Sequence, residues 1–406
     1  MSPRPPGALR LAGAGIAIVG VCFGMARYGY GLLLPDVRRE YDLGPALLGA
    51  LATGAYLAYL AATALTGAFT ARVGARRTAV AAGLLAALGM TIAGVSQSAA
   101  AFAAGILIAG ASAGLAFAPF ADASRVVTPA HRSRVLAAIS SGTGYGVALA
   151  APIAILAGTS WRSAWLAFAA CALAATWWAA RVLPRGDGSR RPVDRPGAAW
   201  RSVLCRRALA LLAGGVLIGV GSSAYWTFAV AYLADAGALS PTAGRTFLGI
   251  VGVASLLATL SADLVRRLGS ARAYVLTATT EAAAIVLLAL APTSLAAAIV
   301  SAVLFGAAYS AVIAIQAIWS THLFASRPSL GVSAVMASNG TGFVVGPLAA
   351  GLLAGAFGLG VVLLAGAFVV MSITLLAPRE AIMPRADVRS RSAARGASPR
   401  RRPART

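Results

Sequence analysis

Twelve apolar runs follow one another along this chain with short polar breaks, over approximately 9–34, 45–69, 78–96, 100–122, 135–158, 163–182, 207–234, 242–262, 273–292, 294–320, 330–355 and 358–377. About 20 apolar residues rising 1.5 Å each cover the roughly 30 Å hydrocarbon core of a bilayer. Inside that core each segment must satisfy its own backbone, which for separate runs of this length means α-helix. The expected fold is therefore an all-α membrane protein of 12 transmembrane helices. The charge content agrees: 11% of residues are charged, against about 25% in soluble domains.

Two stretches interrupt the pattern. Residues 183–206 are rich in Pro, Gly and Arg, and residues 378–406 end in SPRRRPART. The first reads as a flexible cytoplasmic linker and the second as a disordered basic tail resting near anionic lipid heads. They leave an N-terminal six-helix half, 1–182, and a C-terminal half, 207–377. The first run reads as an uncleaved helix, since it continues too far for a signal peptide's apolar core.

The net charge is +23, and all 34 basic residues are arginine. They lie in short loops and the two polar stretches, which is a topology signal and not a nucleic-acid surface. Placing the N-terminus in the cytoplasm leaves only Arg38, Arg39, Arg162 and Arg245 in outer loops and Arg27 within the membrane. Both termini are then cytoplasmic. Cys22, Cys171 and Cys205 are scattered, and His131 and His322 are the only histidines. No metal centre or other cofactor is expected, nor the clustered nucleophiles of an enzyme. The glycine clusters lie within apolar runs and lack a P-loop lysine, so an ATP-driven pump within this chain is excluded.

An internal repeat underlies the two halves. TGAFTARVGARRTAV (66–80) aligns with SADLVRRLGSARAYV (261–275) at an offset of 195, pairing Arg72 with Arg267 and Gly74 with Gly269. SGTGYG (141–146) aligns with NGTGFV (339–344) at an offset of 198. Parallel repeats around a central site are a transporter architecture.

Over residues 9–378 the chain resembles the major facilitator superfamily. The loop after the second run carries Gly67, Phe69, Arg72, Gly74 and Arg76 of that family's G-x-L-a-D-r-x-G-r-k pattern, with Ala71 where aspartate is usual and Ala75 in place of a basic residue. The resemblance implies a gating loop formed by Gly67, Arg72, Gly74, Arg76, Arg267 and Gly269, with a weakened latch at Ala71. ARYGYGLLLP (26–35) resembles a poorly characterised bacterial subgroup, which implies the bacterial inner membrane. The implied function is secondary active transport of a small organic solute by alternating access, as a monomer. Multidrug efflux of lipophilic or cationic compounds is the alternative. It is disfavoured by Ala151-Pro152 where drug antiporters of the family carry Gly-Pro, and by the scarcity of acids in the membrane.

Few residues offer chemistry at membrane depth. Arg27 lies about 12 Å inside the end of the first run. It reads either as an anchor for an anionic or zwitterionic solute or as a cation reaching out toward Asp36. Helical phase places Tyr30 on its face and turns Tyr28 away. Tyr225, Trp226, Gln316 and Asn339 are further candidate binding residues. Glu281 and Asp122 are the candidates for proton coupling, although Glu281 reads first as a neutral carboxyl bonded to Thr277 with no transport role.

Overall fold

The computed structural model describes residues 7–123, 135–136, 138–184, 206–236, 241–324 and 328–378. The linker assigned to 183–206 and the tail assigned to 378–406 fall almost wholly outside the described residues, as do His131 and Cys205. Among the described residues regular structure is helical throughout, and 11 stretches are long and apolar enough to cross a membrane. They are α1 (Ala8–Tyr41), α2 (Pro45–Val73), α3 (Ala75–Val95), α4 (Ala99–Phe120), α5 (Ala138–Leu156), α6 (Trp161–Val182), α7 (Leu209–Asp235), α8 (Thr242–Leu268), α9 (Ser270–Leu290), α10 (Leu295–Leu323) and α11 (Gly331–Leu376). The last is 46 residues long, and its path breaks at Gly358, where φ is 80° and ψ 159°.

Gly74 and Gly269, paired in sequence, separate α2 from α3 and α8 from α9 in one conformation: φ 88°, ψ 159° and φ 82°, ψ 158°. This region of backbone space is open essentially to glycine alone. Each helix therefore stops and the next starts within one residue.

The first helix departs from expectation in two ways. It does not end at Pro35 but continues to Tyr41, closing on Asp42 in the left-handed region. Pro35 removes one backbone donor without ending the helix. Earlier, Gly20–Met25 is wound as a π-helix. Ala26 N–H donates to Val21 O at 2.8 Å and Tyr28 N–H to Phe23 O at 3.2 Å, both five residues back. Glycines let the chain pack closely here, since a Cβ on Gly24 would collide with the backbone of Gly146 on α5. In the same way a Cβ on Gly342 would lie 2.8 Å from Cα of Gly219, where α11 crosses α7.

Within 8–182, α3 packs on α4 and α6, and α2 on α4. Within 209–376, α7 packs on α11, α9 on α10, and α8 on α10. Contacts between the two groups run through α2 with α11, α5 with α8, and α1 with α7. The α2–α11 seam runs from Pro45 against Gly351 to Leu60 against Gly340. Beyond it, toward Gly74, α2 exposes Ala61, Thr63, Leu65, Gly67 and Phe69.

Candidate functional site

The π-turn runs into a short turn, Ala26–Tyr28, whose N–H groups at 26 and 28 still bond five residues back, and Arg27 sits in it. π-Turns inside α-helices are frequent at functional sites. Here the turn aims a half-buried guanidinium into a group of aromatic rings. Arg27 Cζ lies 4.1 Å from the Tyr56 ring centre and 4.4 Å from Tyr59, both on α2. Phe23 and Tyr28 of α1 stand at 5.5 and 5.6 Å, and Phe343 of α11 at 5.7 Å. Among the described residues no carboxylate forms an ion pair with it.

These rings explain how the cation survives. An arginine at mid-membrane costs roughly 2.5–3.5 kcal/mol on insertion scales. Desolvated cation–π contacts return about 2 kcal/mol each, and two rings lie close. The alternative of Arg27 reaching toward Asp36 is overturned, because Asp36 holds Arg39 at 2.6 Å and Arg245 at 3.0 Å instead.

The rings leave hydrogen bonding incomplete. Arg27 Nε is buried without a partner, and so is Trp226 Nε1. Both residues line one small cavity of about 20 Å³ at the crossing of α1, α2, α4 and α7, enough for about one water. Unpaired indole nitrogens also occur at Trp165 and Trp319, but Trp226 shares its cavity with Arg27. Around this cavity, then, are two donors without acceptors and no acid.

Of the two tyrosines in ARYGYGLLLP, Tyr28 is placed differently from its helical phase and Tyr30 lies on the side that phase gives. Tyr28 joins the ring cluster and packs on Trp226 at 4.2 Å. The π-turn shifts the helix by a residue, which is what brings Tyr28 to this side. Tyr30 also lines the cavity, but its hydroxyl is committed to Leu48 O at 2.8 Å.

Tyr225 is not brought to the cavity lining. It is fully buried, stacked on Phe305 at 3.7 Å and hydrogen-bonded with Ser301 at 2.8 Å. Gln316 donates to Tyr274 at 3.1 Å, and Asn339 donates to Gln316 at 3.5 Å. These residues form a buried polar chain from α9 through α10 to α11, with Asn339 Oδ1 left unpaired. Glu281 is also fully buried, but Thr277 is not its partner. The Thr277 hydroxyl donates to Ala273 O and Tyr274 O of its own helix. Ser222 of α7 donates to Glu281 Oε1 at 2.5 Å, and Oε2 has no partner. Asp122 is exposed at the end of α4.

The gating-loop residues gather at the Gly74 end. Gly67 is open on its Cβ side, and Arg72 and Arg267 are exposed. Arg76 donates to Ala180 O at 2.6 Å, capping the carbonyl end of α6. Asp263 pairs with Arg266 on its own helix at 2.8 Å.

At the opposite end, charged pairs join the two helix groups. Arg38 of α1 meets Asp235 of α7 at 2.6 Å. Arg245 of α8, only 4% exposed, reaches Asp36 and donates to the carbonyls of Ala154 and Gly158 at 2.8 and 2.6 Å. They border a polar vestibule of about 440 Å³. Beside it, Glu40 accepts from Trp161 Nε1 at 2.6 Å and binds Arg162 through both oxygens, at 2.5 and 2.8 Å.

A helical membrane protein with a cavity at the seam of two helix groups is the architecture of a solute carrier. The chain belongs to the Major Facilitator Superfamily, whose family model matches residues 16–280. It is 31% identical over 237 residues to human (Homo sapiens) monocarboxylate transporter 11, a match covering 54% of this chain. The chain spans about half the length of that curated relative (50%). The crystal structure of nucleoside transporter NupG superposes with a TM-score of 0.71 at 16% identity, covering 91% of this chain and 97% of that one. A point mutant of NupG gives 0.76 at 13% identity, with 90% and 98% coverage. At such identities the likeness shows the fold alone. All three are transporters, not enzymes.

Proposed function

We propose that the chain is a secondary active transporter of a small organic anion, working by alternating access at the Arg27 site. The observation that carries this reading is the pair of unsatisfied donors, Arg27 Nε and Trp226 Nε1, around one cavity with no acid in its lining. Each unmet buried donor costs about 1–3 kcal/mol. A carboxylate accepts at both oxygens and donates nothing, so it answers both donors and the charge. The monocarboxylate transporter among its relatives points to the same chemistry. Efflux of cations has no acid in this cavity to support it.

In this reading α11 is two spans joined at Gly358, giving 12 in two six-helix halves, 1–182 and 207–377, rocking about the α2–α11 and α5–α8 seams. The matched conformations of Gly74 and Gly269 support the repeat. The arginine distribution supports a bacterial cytoplasmic membrane orientation with both termini inside and, with it, a cytoplasmic Gly74 end and gating loop. The charged pairs at the Arg245 end then hold the outer side shut. The protein works as a monomer. Glu281, its Oε2 free beside α7, is the candidate proton carrier; Asp122, being exposed, is the weaker one.

The test is thermal stabilisation of purified protein by small carboxylates, amino acids, sugars and lipophilic cations, with Arg27→Ala in parallel. Stabilisation by a carboxylate in the parent and its loss in the variant is expected. Equal stabilisation of both proteins by cations or neutral solutes would overturn the reading.

A further inference from the structure

Resting on that anion reading, we infer that the solute is a singly charged acid with a flat aromatic body, and that zwitterions and dianions are rejected. The charge argument comes from the described acids. Asp36, Asp42 and Asp235 border the vestibule. Glu40 is tied to Arg162. Asp122 and Asp263 lie toward the opposite end, and Glu281 is enclosed against Ser222. None lines the Arg27 cavity. A second carboxylate would face no second cation there, and an ammonium would face no acid. A buried charge without a partner is too costly to carry along. The ring faces that could hold an ammonium already surround the Arg27 guanidinium, whose like charge repels it.

The body argument comes from the rings. Two aromatic pairs flank Arg27, and each joins the two helix groups. Tyr28 of α1 packs on Trp226 of α7 at 4.2 Å, with the planes 35° apart. Tyr56 of α2 stacks on Phe343 of α11 at 4.8 Å and 15°. When the helix groups move apart, each pair loses a face of contact. A flat aromatic ring attached to the carboxylate can take the place of the missing partner, restoring the stacking interaction. An aliphatic ring of equal size buries similar area but presents no flat face. The closed cavity of about 20 Å³ is then a state in which the protein's own rings fill the solute's place.

The experiment is equilibrium binding of radiolabelled benzoate to the full-length protein in lipid nanodiscs. The competitors are cyclohexanecarboxylate, acetate, phthalate, phenylalanine and benzyl alcohol. Benzoate should compete several-fold better than cyclohexanecarboxylate, roughly 2- to 13-fold for one aromatic stacking contact. Phthalate, phenylalanine and benzyl alcohol should not displace it. Trp226→Phe, which keeps a ring and loses the N–H, should weaken benzoate yet preserve its preference over cyclohexanecarboxylate, while Trp226→Leu, which removes one ring of one pair, should reduce that preference. Size-exclusion profiles matching the parent establish that each variant folds. If cyclohexanecarboxylate or acetate binds as well as benzoate through Arg27, the aromatic-body inference falls and the anion reading stands. If phthalate or phenylalanine binds equally, the charge argument falls. If no carboxylate binds in an Arg27-dependent way, the anion reading itself falls.

Discussion

Arg245 gives the sharpest mechanical test. It is almost fully buried, joins α8 to Asp36 of α1, and caps the carbonyls of Ala154 and Gly158 where α5 ends. Replacing it with alanine leaves Asp36 with Arg39 alone and strips both carbonyls. Breaking a buried pair costs about 3–5 kcal/mol. If these contacts exist only while this end is shut, about 3 kcal/mol is lost from the shut state alone, shifting the balance toward open by roughly a hundredfold. The readout is an Ala231→Cys reporter on α7, 2% exposed and bordering the vestibule, with Cys22, Cys171 and Cys205 replaced. A membrane-impermeant maleimide should label it slowly in the parent and at least tenfold faster with Arg245→Ala. Asp36→Asn should act in the same direction. Arg245→Lys should fall between, because an ammonium cannot reach both carbonyls and the carboxylate as a guanidinium fork does. Unchanged labelling in a monodisperse Arg245→Ala protein would refute the assignment of Arg245 as a gate.

Gly269→Ala should lower thermal stability, by about 1–3 kcal/mol, because φ near 82° is closed to a side chain; a melting curve matching the parent would contradict this. Arg162→Ala removes the partner of Glu40 and a donor to Ser96 O at 2.9 Å. Both side chains are about one-third exposed, so the expected loss is only about 1 kcal/mol in a denaturation midpoint, with uptake retained. Gly146→Leu should abolish folded protein on size-exclusion chromatography, since α5 cannot keep its approach to Gly20 and Gly24 with a side chain there.

The fold was legible because membrane burial writes itself locally. Uninterrupted apolar runs located the membrane-length helices, though the runs 330–355 and 358–377 lie in one 46-residue stretch broken at Gly358; the Gly74–Gly269 match located two helix breaks that the backbone confirms. Arg27 stood out because a charge inside an apolar run must have a reason. Its surroundings did not stand out. Tyr56 and Phe343 lie far away in sequence, and only packing brings them to the guanidinium. The π-turn left no propensity signal either. It accompanies the close approach of Gly20 and Gly24 to α5, and regular helical phase across it puts Tyr28 on the wrong side. Glu281 finds its partner Ser222 on another helix, which sequence does not show, whereas Thr277 one turn away is visible in sequence. The apolar run stops at residue 34, but the helix tolerates one missing donor at Pro35 and continues to Tyr41.

The π-turn at Gly20–Met25 amounts to one residue of extra length held within the first helix. Each residue of an α-helix advances about 100° around the axis. Deleting one residue in that segment would let the hydrogen bonds return to regular spacing, at the expense of rotating one end of the helix against the other. The buried face formed by Leu11, Ala14 and Ile18 and the ring-facing setting of Arg27 are in register only while the extra residue is present. A chain of the same composition, one residue shorter at this point, could insert and pack yet carry its arginine on another face.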